Sequence, residues 1–241
     1  MSYRTLEKDY YKVLHTLATH LSPKANSASK KELPYILESS TSNRLKPNFH
    51  WILSSISGAG KTTIARQPIL AKFKKLPHVT TRTRRLEEKS NEYICVSNSA
   101  FLLWKRKNLL FHPHKRNGVW QAILKKDLKK LTANNSLIYL DKSVSSSIFL
   151  QKSLADKTSF TFLYILSPSF KELFRRINKR ESLRKKGEKR LTRKEILKRF
   201  GEEIIDMKKT KKLPYAYVVN DSLARIEKVL KEKISKSKVI R

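Results

Sequence analysis

Phe49-His50-Trp51-Ile52-Leu53-Ser54-Ser55-Ile56-Ser57-Gly58-Ala59-Gly60-Lys61-Thr62-Thr63 opens on an apolar run, turns through two glycines and closes on a cation and two hydroxyls. The run 49–57 predicts a buried strand, and the residues after Gly60 predict the start of a helix. The loop between them suits phosphate. Phosphate oxygens need several backbone N–H donors converging with no side chain in the way. Gly58 and Gly60 permit that approach, and the helix adds the positive end of its dipole. The amides of Gly58, Ala59, Gly60, Lys61, Thr62 and Thr63 are the candidate phosphate ligands. Lys61 supplies a mobile cation for the β- and γ-phosphates, and Thr62 supplies a hydroxyl for Mg²⁺ arriving on the nucleotide. The expected cofactors are therefore ATP and Mg²⁺. Ser55 stands where the pattern usually has its first glycine, which the loop tolerates if φ stays negative there.

Outward from this loop, strands alternate with helices. TTIARQPILAKF predicts a helix interrupted at Pro68, and VTTRTRR and EYICVS predict short strands before the helical NSAFLLWKRK. SLIYLD (136–141) and FTFLYILSP (160–168) are continuous apolar runs, as expected of parallel strands covered on both faces. Ser169 with Glu172, and Thr192 with Glu195, are capping-box pairs that open two helices. AYVVND predicts a last strand and SLARIEKVLKEKI a closing amphipathic helix. Such alternation predicts an α/β fold with a parallel core sheet. Before residue 48, apolar positions at helical spacing (Leu6, Tyr10, Val13, Leu14, Leu17) predict one short helix. LSPKANSASKKELP after it reads as a linker.

The chain has 241 residues, 54 Lys and Arg against 20 Asp and Glu, and a net charge of +34. That excess has three readings: solvated basic faces, association with RNA, DNA or a ribosome, or an unusually anionic substrate. Cys95 is the single cysteine, so no internal disulfide forms. No apolar run approaches the roughly 20 residues that span a bilayer. The first residues lack an apolar signal core, which makes the cytoplasm the expected location and leaves organellar import open. His50, His112 and His114 have poor spacing for a metal site.

The order of features resembles the guanylate kinase family of phosphate-loop nucleoside monophosphate kinases over about residues 49–235. Thr80-Thr81-Arg82-Thr83-Arg84-Arg85 looks like that family's grip on the acceptor phosphate, and Tyr93 matches a tyrosine that touches the same group. Trp120 falls where a phosphate-binding tyrosine is expected. Asp141 matches the acidic residue below the transfer site. Arg180 and Arg199 match lid arginines, and Asn220 matches the late segment near the adenine. The resemblance implies a three-layer phosphate-loop kinase fold over 48–241, an acceptor-binding lobe near 78–123 and a lid near 181–198. Residues 1–47 form an extension. It further implies Lys61, Asp141, Arg180 and Arg199 as catalytic residues. The acceptor phosphate falls to Arg82, Arg85, Tyr93 and Trp120. Phosphoryl transfer builds negative charge, so positioned cations do most of that work, and paired arginines fork onto phosphate.

The chain departs from the family at the acceptor base. That family reads guanine with a glutamate, yet Phe101 to Ala122 contains no Asp or Glu. Phe111 or His112 falls where the glutamate is expected, Ala122 replaces a hydroxyl, and His78 stands near another. Lys105, Arg106, Lys107, His112, His114, Lys115 and Arg116 fill the lobe instead. Three explanations remain open: an acceptor more anionic than GMP, lost acceptor recognition, or a rearranged guanine site. The expected activity is ATP-dependent phosphorylation of a nucleoside monophosphate, GMP by default. The alternatives are a kinase of another anionic acceptor such as a phosphosugar, and a non-catalytic nucleotide-binding module on RNA or a ribosome.

Overall fold

The structure is a computed structural model and describes residues 1–41, 44–46, 48–84, 88, 92–132, 137–184 and 190–236. The central strand β1 (His50–Ser55) is buried along nearly its whole length because it has parallel neighbours on both sides. These are β7 (Ile138–Asp141) and β8 (Phe160–Leu166). With β2 (Lys74–Lys75) and β9 (Tyr215–Val219) they form one parallel sheet in the order β2-β7-β1-β8-β9. Ile52 lies opposite Leu140 and Phe162, so the apolar runs meet in register. The same register brings Ser55 and Asp141 to the carboxyl edge of the sheet, where open α/β sheets bind ligands.

The helix after the loop is shorter than expected. α3 (Lys61–Ala65) ends before Gln67, which is extended because the residue ahead of a proline is pushed out of the helical region. Pro68–Leu70 then makes a single 3₁₀ turn, and the chain enters β2 instead of continuing as helix.

A second sheet, in the order β4-β3-β6-β5, carries β3 (His78–Thr80), β4 (Tyr93–Cys95), β5 (Leu110–Arg116) and β6 (Val119–Leu124). Its small core joins Val79, Leu110, Ala122 and Leu124 to Phe101 of α4 (Asn98–Arg106). β5 and β6 turn on Asn117 and Gly118, with φ of 50° and 77°. Both central residues of this tight hairpin turn are thus left-handed, the geometry that Asn-Gly favours. β5 shifts register between Phe111 and His114, and His112 sits at φ 51° in that bulge.

Near the start of the chain, α1 (Tyr3–Leu21) buries Leu6, Tyr10, Val13, Leu14, Leu17 and Ala18 in the main core. Its Tyr3 ring packs 5.2 Å from Phe170 and 5.1 Å from Phe174 on α7 (Phe170–Ser182). The expected linker instead holds a 3₁₀ turn, Pro23–Ser27, and runs into α2 (Leu33–Ser39), a helix the sequence reading missed. The reason for α2 is tertiary. β9 is an edge strand with open N–H groups, and this segment closes them: Tyr217 N–H donates to Thr41 Oγ1 at 3.0 Å and Val219 N–H to Glu38 at 2.7 Å.

The capping boxes divide. Thr192 and Glu195 make both reciprocal bonds at the start of α8 (Arg193–Met207). Ser169 accepts from Glu172 N–H, but the Glu172 carboxylate turns to Arg175 and Arg176. Helices α5 (Lys125–Thr132), α6 (Val144–Leu154) and α9 (Leu223–Lys236) complete the described chain. No helix among the described residues is long and apolar enough to cross a membrane.

Candidate active site

The phosphate loop is held tight from below. Gly58 and Gly60 have φ of 86° and 90°. A Cβ on Gly58 would stand 2.9 Å from the Leu173 carbonyl, and one on Gly60 would stand 1.9 Å from Asn220 Nδ2. Asn220 is buried and donates to the Ala59 carbonyl at 2.6 Å. Its amide therefore braces the underside of the loop, a placement different from the adenine contact expected of it. Ser55 avoids positive φ, so serine at the loop's first position carries no backbone strain. Its Oγ accepts from Lys61 Nζ at 3.1 Å. Thr62 and Thr63 lie exposed in the first turn of α3.

Lys61 also pairs with Asp141 Oδ1 at 3.1 Å. The other carboxylate oxygen accepts from the Tyr93 hydroxyl at 3.3 Å. Burial pushes the Asp141 carboxyl up, but Lys61, Lys75 and His78 outweigh it and hold the group well below the usual carboxylate range. Asp141 is thus ionised, and it links the loop of the parallel sheet to β4 of the second sheet.

Across the cleft, Arg82 lies 4.5 Å over the Tyr93 ring and forks onto Glu88, one bond measuring 2.8 Å. Arg84 turns away and donates to the Tyr93 carbonyl at 3.1 Å. Arg85 lies outside the described residues, as does 185–189 of the expected lid. Trp120 is not in the cleft. Its ring stacks on Phe101 in the small core at 5.6 Å, with Lys105 over it, because alternation along β6 sends Gln121 to the cleft.

From α8, Arg199 reaches the cleft and donates to Glu203 at 3.1 Å. Arg180 pairs with Glu181 at 3.0 Å instead; burial and then the Arg199 charge pull it down. The Glu203 carboxylate was not anticipated. It is buried and accepts from both the N–H and the hydroxyl of Ser57, each at 2.7 Å. Arg116 approaches it at 4.0 Å. Burial pushes the Glu203 carboxyl up, and Arg199, Arg116 and the Ser57 bonds bring it down past its ordinary value. Two further residues of the cleft were missed or left without a role. Lys142 is 6% exposed; its backbone N–H donates to the Leu53 carbonyl at 3.0 Å, but its ammonium has no hydrogen-bond or ion-pair partner among the described residues. His78 is 4% exposed, and its Nε2 is buried without a partner among them. The only sequence signals were the i,i+4 spacing of Glu203 from Arg199 and the adjacency of Lys142 to the strand-end Asp141.

His50 is structural. Its Nδ1 accepts from Ile138 N–H at 3.2 Å and its Nε2 meets the Leu131 carbonyl at 2.8 Å. His112 stacks on Phe149 at 3.9 Å, and His114 Nε2 faces Ser146 Oγ at 3.4 Å. No group of three or more potential metal ligands occurs among the described residues.

Comparison with known proteins agrees with this geometry. The family profile described as Guanylate kinase matches residues 49–237. The guanylate kinase of Bartonella quintana (strain Toulouse) is 31% identical over 134 residues, 55% of this chain and 60% of that protein. That of Geobacter sulfurreducens (strain ATCC 51573 / DSM 12127 / PCA) is 33% identical over 136 residues, 55% of this chain and 65% of the relative. The matches thus span only 60% and 65% of the length of these relatives. The crystal structure of guanylate kinase from Anaplasma phagocytophilum superposes with a TM-score of 0.55. It covers 80% of this chain and 87% of that one at 17% identity, a likeness of fold. A phosphate-loop α/β fold with a second sheet facing its carboxyl edge defines the class. Within it, the chain belongs to the guanylate kinase family.

Proposed function

We propose that the protein transfers the γ-phosphoryl group of ATP to the phosphate of a small phosphomonoester, with a nucleoside monophosphate as the acceptor class and GMP as the family default. One observation carries this reading: Asp141 binds Lys61 of the phosphate loop with one oxygen and Tyr93 of the second sheet with the other. Donor loop and acceptor lobe therefore meet at a single carboxylate. The Ser57 N–H already holds an anion, the Glu203 carboxylate, which supports the loop's fitness for phosphate. ATP and Mg²⁺ fit these residues, with Gly58 to Thr63 supplying amides, Lys61 its cation and Thr62 an exposed hydroxyl. Mg²⁺ arriving with the nucleotide would be met by the Thr62 hydroxyl and would supply charge neutralisation.

Each side chain then has a role. Arg82 and Arg85 hold the acceptor phosphate, Asp141 positions Lys61, and Arg199 with Arg180 offsets charge on the transferring group. An acceptor phosphate oxygen forms the new bond to the γ-phosphorus. The bond to the bridging oxygen breaks, and its electron pair leaves with ADP. Positioned charge is the main source of rate in such a transfer.

The test is ADP release by purified protein with ATP, Mg²⁺ and a panel of monophosphates. Turnover that falls by about 10² or more in Lys61→Ala is expected. The competing binding module has only the +34 net charge behind it. It predicts nucleic acid co-purifying with the protein and no ADP release with any acceptor.

A further inference from the structure

We propose that Lys142 and His78 form a second anion-binding subsite in the acceptor cleft. The preferred acceptor would then be a phosphomonoester that carries a further phosphate or carboxylate group. The inference rests on the cleft being an acceptor site, as proposed above, and it narrows the acceptor class.

The first observation is an unmatched ammonium. Lys142 lines the same cleft as Arg82, Tyr93 and Arg116, yet it is nearly fully buried and its ammonium has no partner among the described residues. The charge that favours its protonation is Asp141, whose two oxygens are engaged by Lys61 and Tyr93. A buried ammonium with no partner is costly, so native structures seldom keep one without a use. Burial pulls Lys142 down to about 7 despite Asp141, and a bound anion would reverse that shift.

The second observation is independent. His78, on β3, also lines the cleft, and its buried Nε2 is an orphan. Burial and the Lys142 charge hold the ring well below its ordinary value, so it is neutral and offers one further polar contact.

The charged groups left open in the cleft favour an anionic ligand over a donor-rich edge, with Gln121 and Asn117 contributing neutral amides beside them. Lys142 presents three N–H donors and no acceptor. The carboxylates in the cleft are committed, Asp141 to Lys61 and Glu203 to Arg199 and Ser57. A guanine edge brings an N1–H and an amine, which Lys142 repels and for which no uncommitted carboxylate lines the cleft, only neutral acceptors such as the Gln121 amide oxygen. An oxygen-rich anion satisfies Lys142 and His78 together. It takes no part in the transfer itself. The acceptor's other phosphate still attacks the γ-phosphorus, and ADP still leaves with the bridging oxygen.

The experiment compares kcat/KM within matched pairs, using full-length protein and Mg²⁺–ATP. One pair is GMP against guanosine 3′,5′-bisphosphate, and the other is ribose 5-phosphate against ribose 1,5-bisphosphate. We expect the bisphosphate to be preferred at least tenfold in one pair, which also tells a nucleotide from a phosphosugar. In Lys142→Met that ratio should collapse toward one, and in Lys142→Arg it should persist. His78→Gln should lower the ratio by a smaller factor. Monophosphates used as well as bisphosphates by the unaltered protein would overturn the subsite while leaving the kinase reading intact. So would a ratio unchanged in Lys142→Met. Absence of ADP release with every acceptor would overturn the kinase reading and this inference with it. Because the primary readout is a ratio in the unaltered protein, a variant that fails to fold does not remove the test.

Discussion

Glu203 and Lys142 show how burial changes the meaning of a residue. In the sequence, Glu203 is one acid on a charged helix and Lys142 is one of 54 cations. Folded, Glu203 occupies the Ser57 amide and two arginines that a phosphoryl group would use. Glu203→Gln should therefore tighten ATP binding, by about tenfold if roughly 1.4 kcal/mol of competition is removed. Calorimetric titration checks this, and weaker binding would mean that Glu203 only braces the loop. Lys142 makes a pH prediction. Its folded value, about 7, lies below the unfolded value of about 10.4. Above pH 7 the unfolded chain holds more protons at this site, so stability rises with pH from about 7 toward 10, and the cost is complete below 7. Without ligand, Lys142→Met should thus be more stable than the unaltered protein at pH 6. That advantage should shrink as pH approaches 10, as urea denaturation at both values will show. That Lys61, Asp141, Arg82, Tyr93 and Arg199 share one cleft was expected beforehand, Lys61 from the loop pattern and the others from the family resemblance. Glu203, Lys142 and the brace role of Asn220 were not, since only the fold decides which cation or amide is buried.

At the scale of elements, the continuous apolar runs foretold β1, β7, β8 and β9 because strands covered on both faces need no polar alternation. α3 was overread: helical periodicity continued past Ala65, but Pro68 removed an N–H and forced Gln67 extended. α2 was missed because seven residues give little periodicity, and its stability comes from closing the β9 edge. The β5–β6 hairpin carries a separable prediction. Gly118 has φ 77° with open space where a Cβ would go, so Gly118→Ala meets strain but no clash. It should cost about 1 kcal/mol of stability. Arg116 and Asn117 stand at this turn and line the cleft. The acceptor KM should accordingly rise more than the ATP KM, which two substrate titrations of one variant will separate.

For the whole molecule, the segment before residue 48 matters as much as the kinase-like part. Leu6, Tyr10, Val13, Leu14 and Leu17 are each at most 5% exposed and belong to the main core. Burying such a side chain contributes about 1.5–3 kcal/mol, and a domain's whole stability is about 5–15 kcal/mol. Deleting residues 1–47 should therefore leave an insoluble or unfolded chain, and co-expression of 1–47 as a separate peptide should restore solubility. A truncated protein as stable as the full chain by thermal melting would refute this. The seat of α1 also sets a timetable. Tyr10 donates to the Ser167 carbonyl, and Tyr3 rests on Phe170 and Phe174. During synthesis α1 precedes those partners by some 160 residues, made at about 5–20 residues per second. For roughly ten seconds or more, an amphipathic helix waits with part of its apolar stripe uncovered. Until residues 167–174 emerge, the seat of α1 is incomplete, and the nascent chain is open to aggregation or chaperone capture through this stripe.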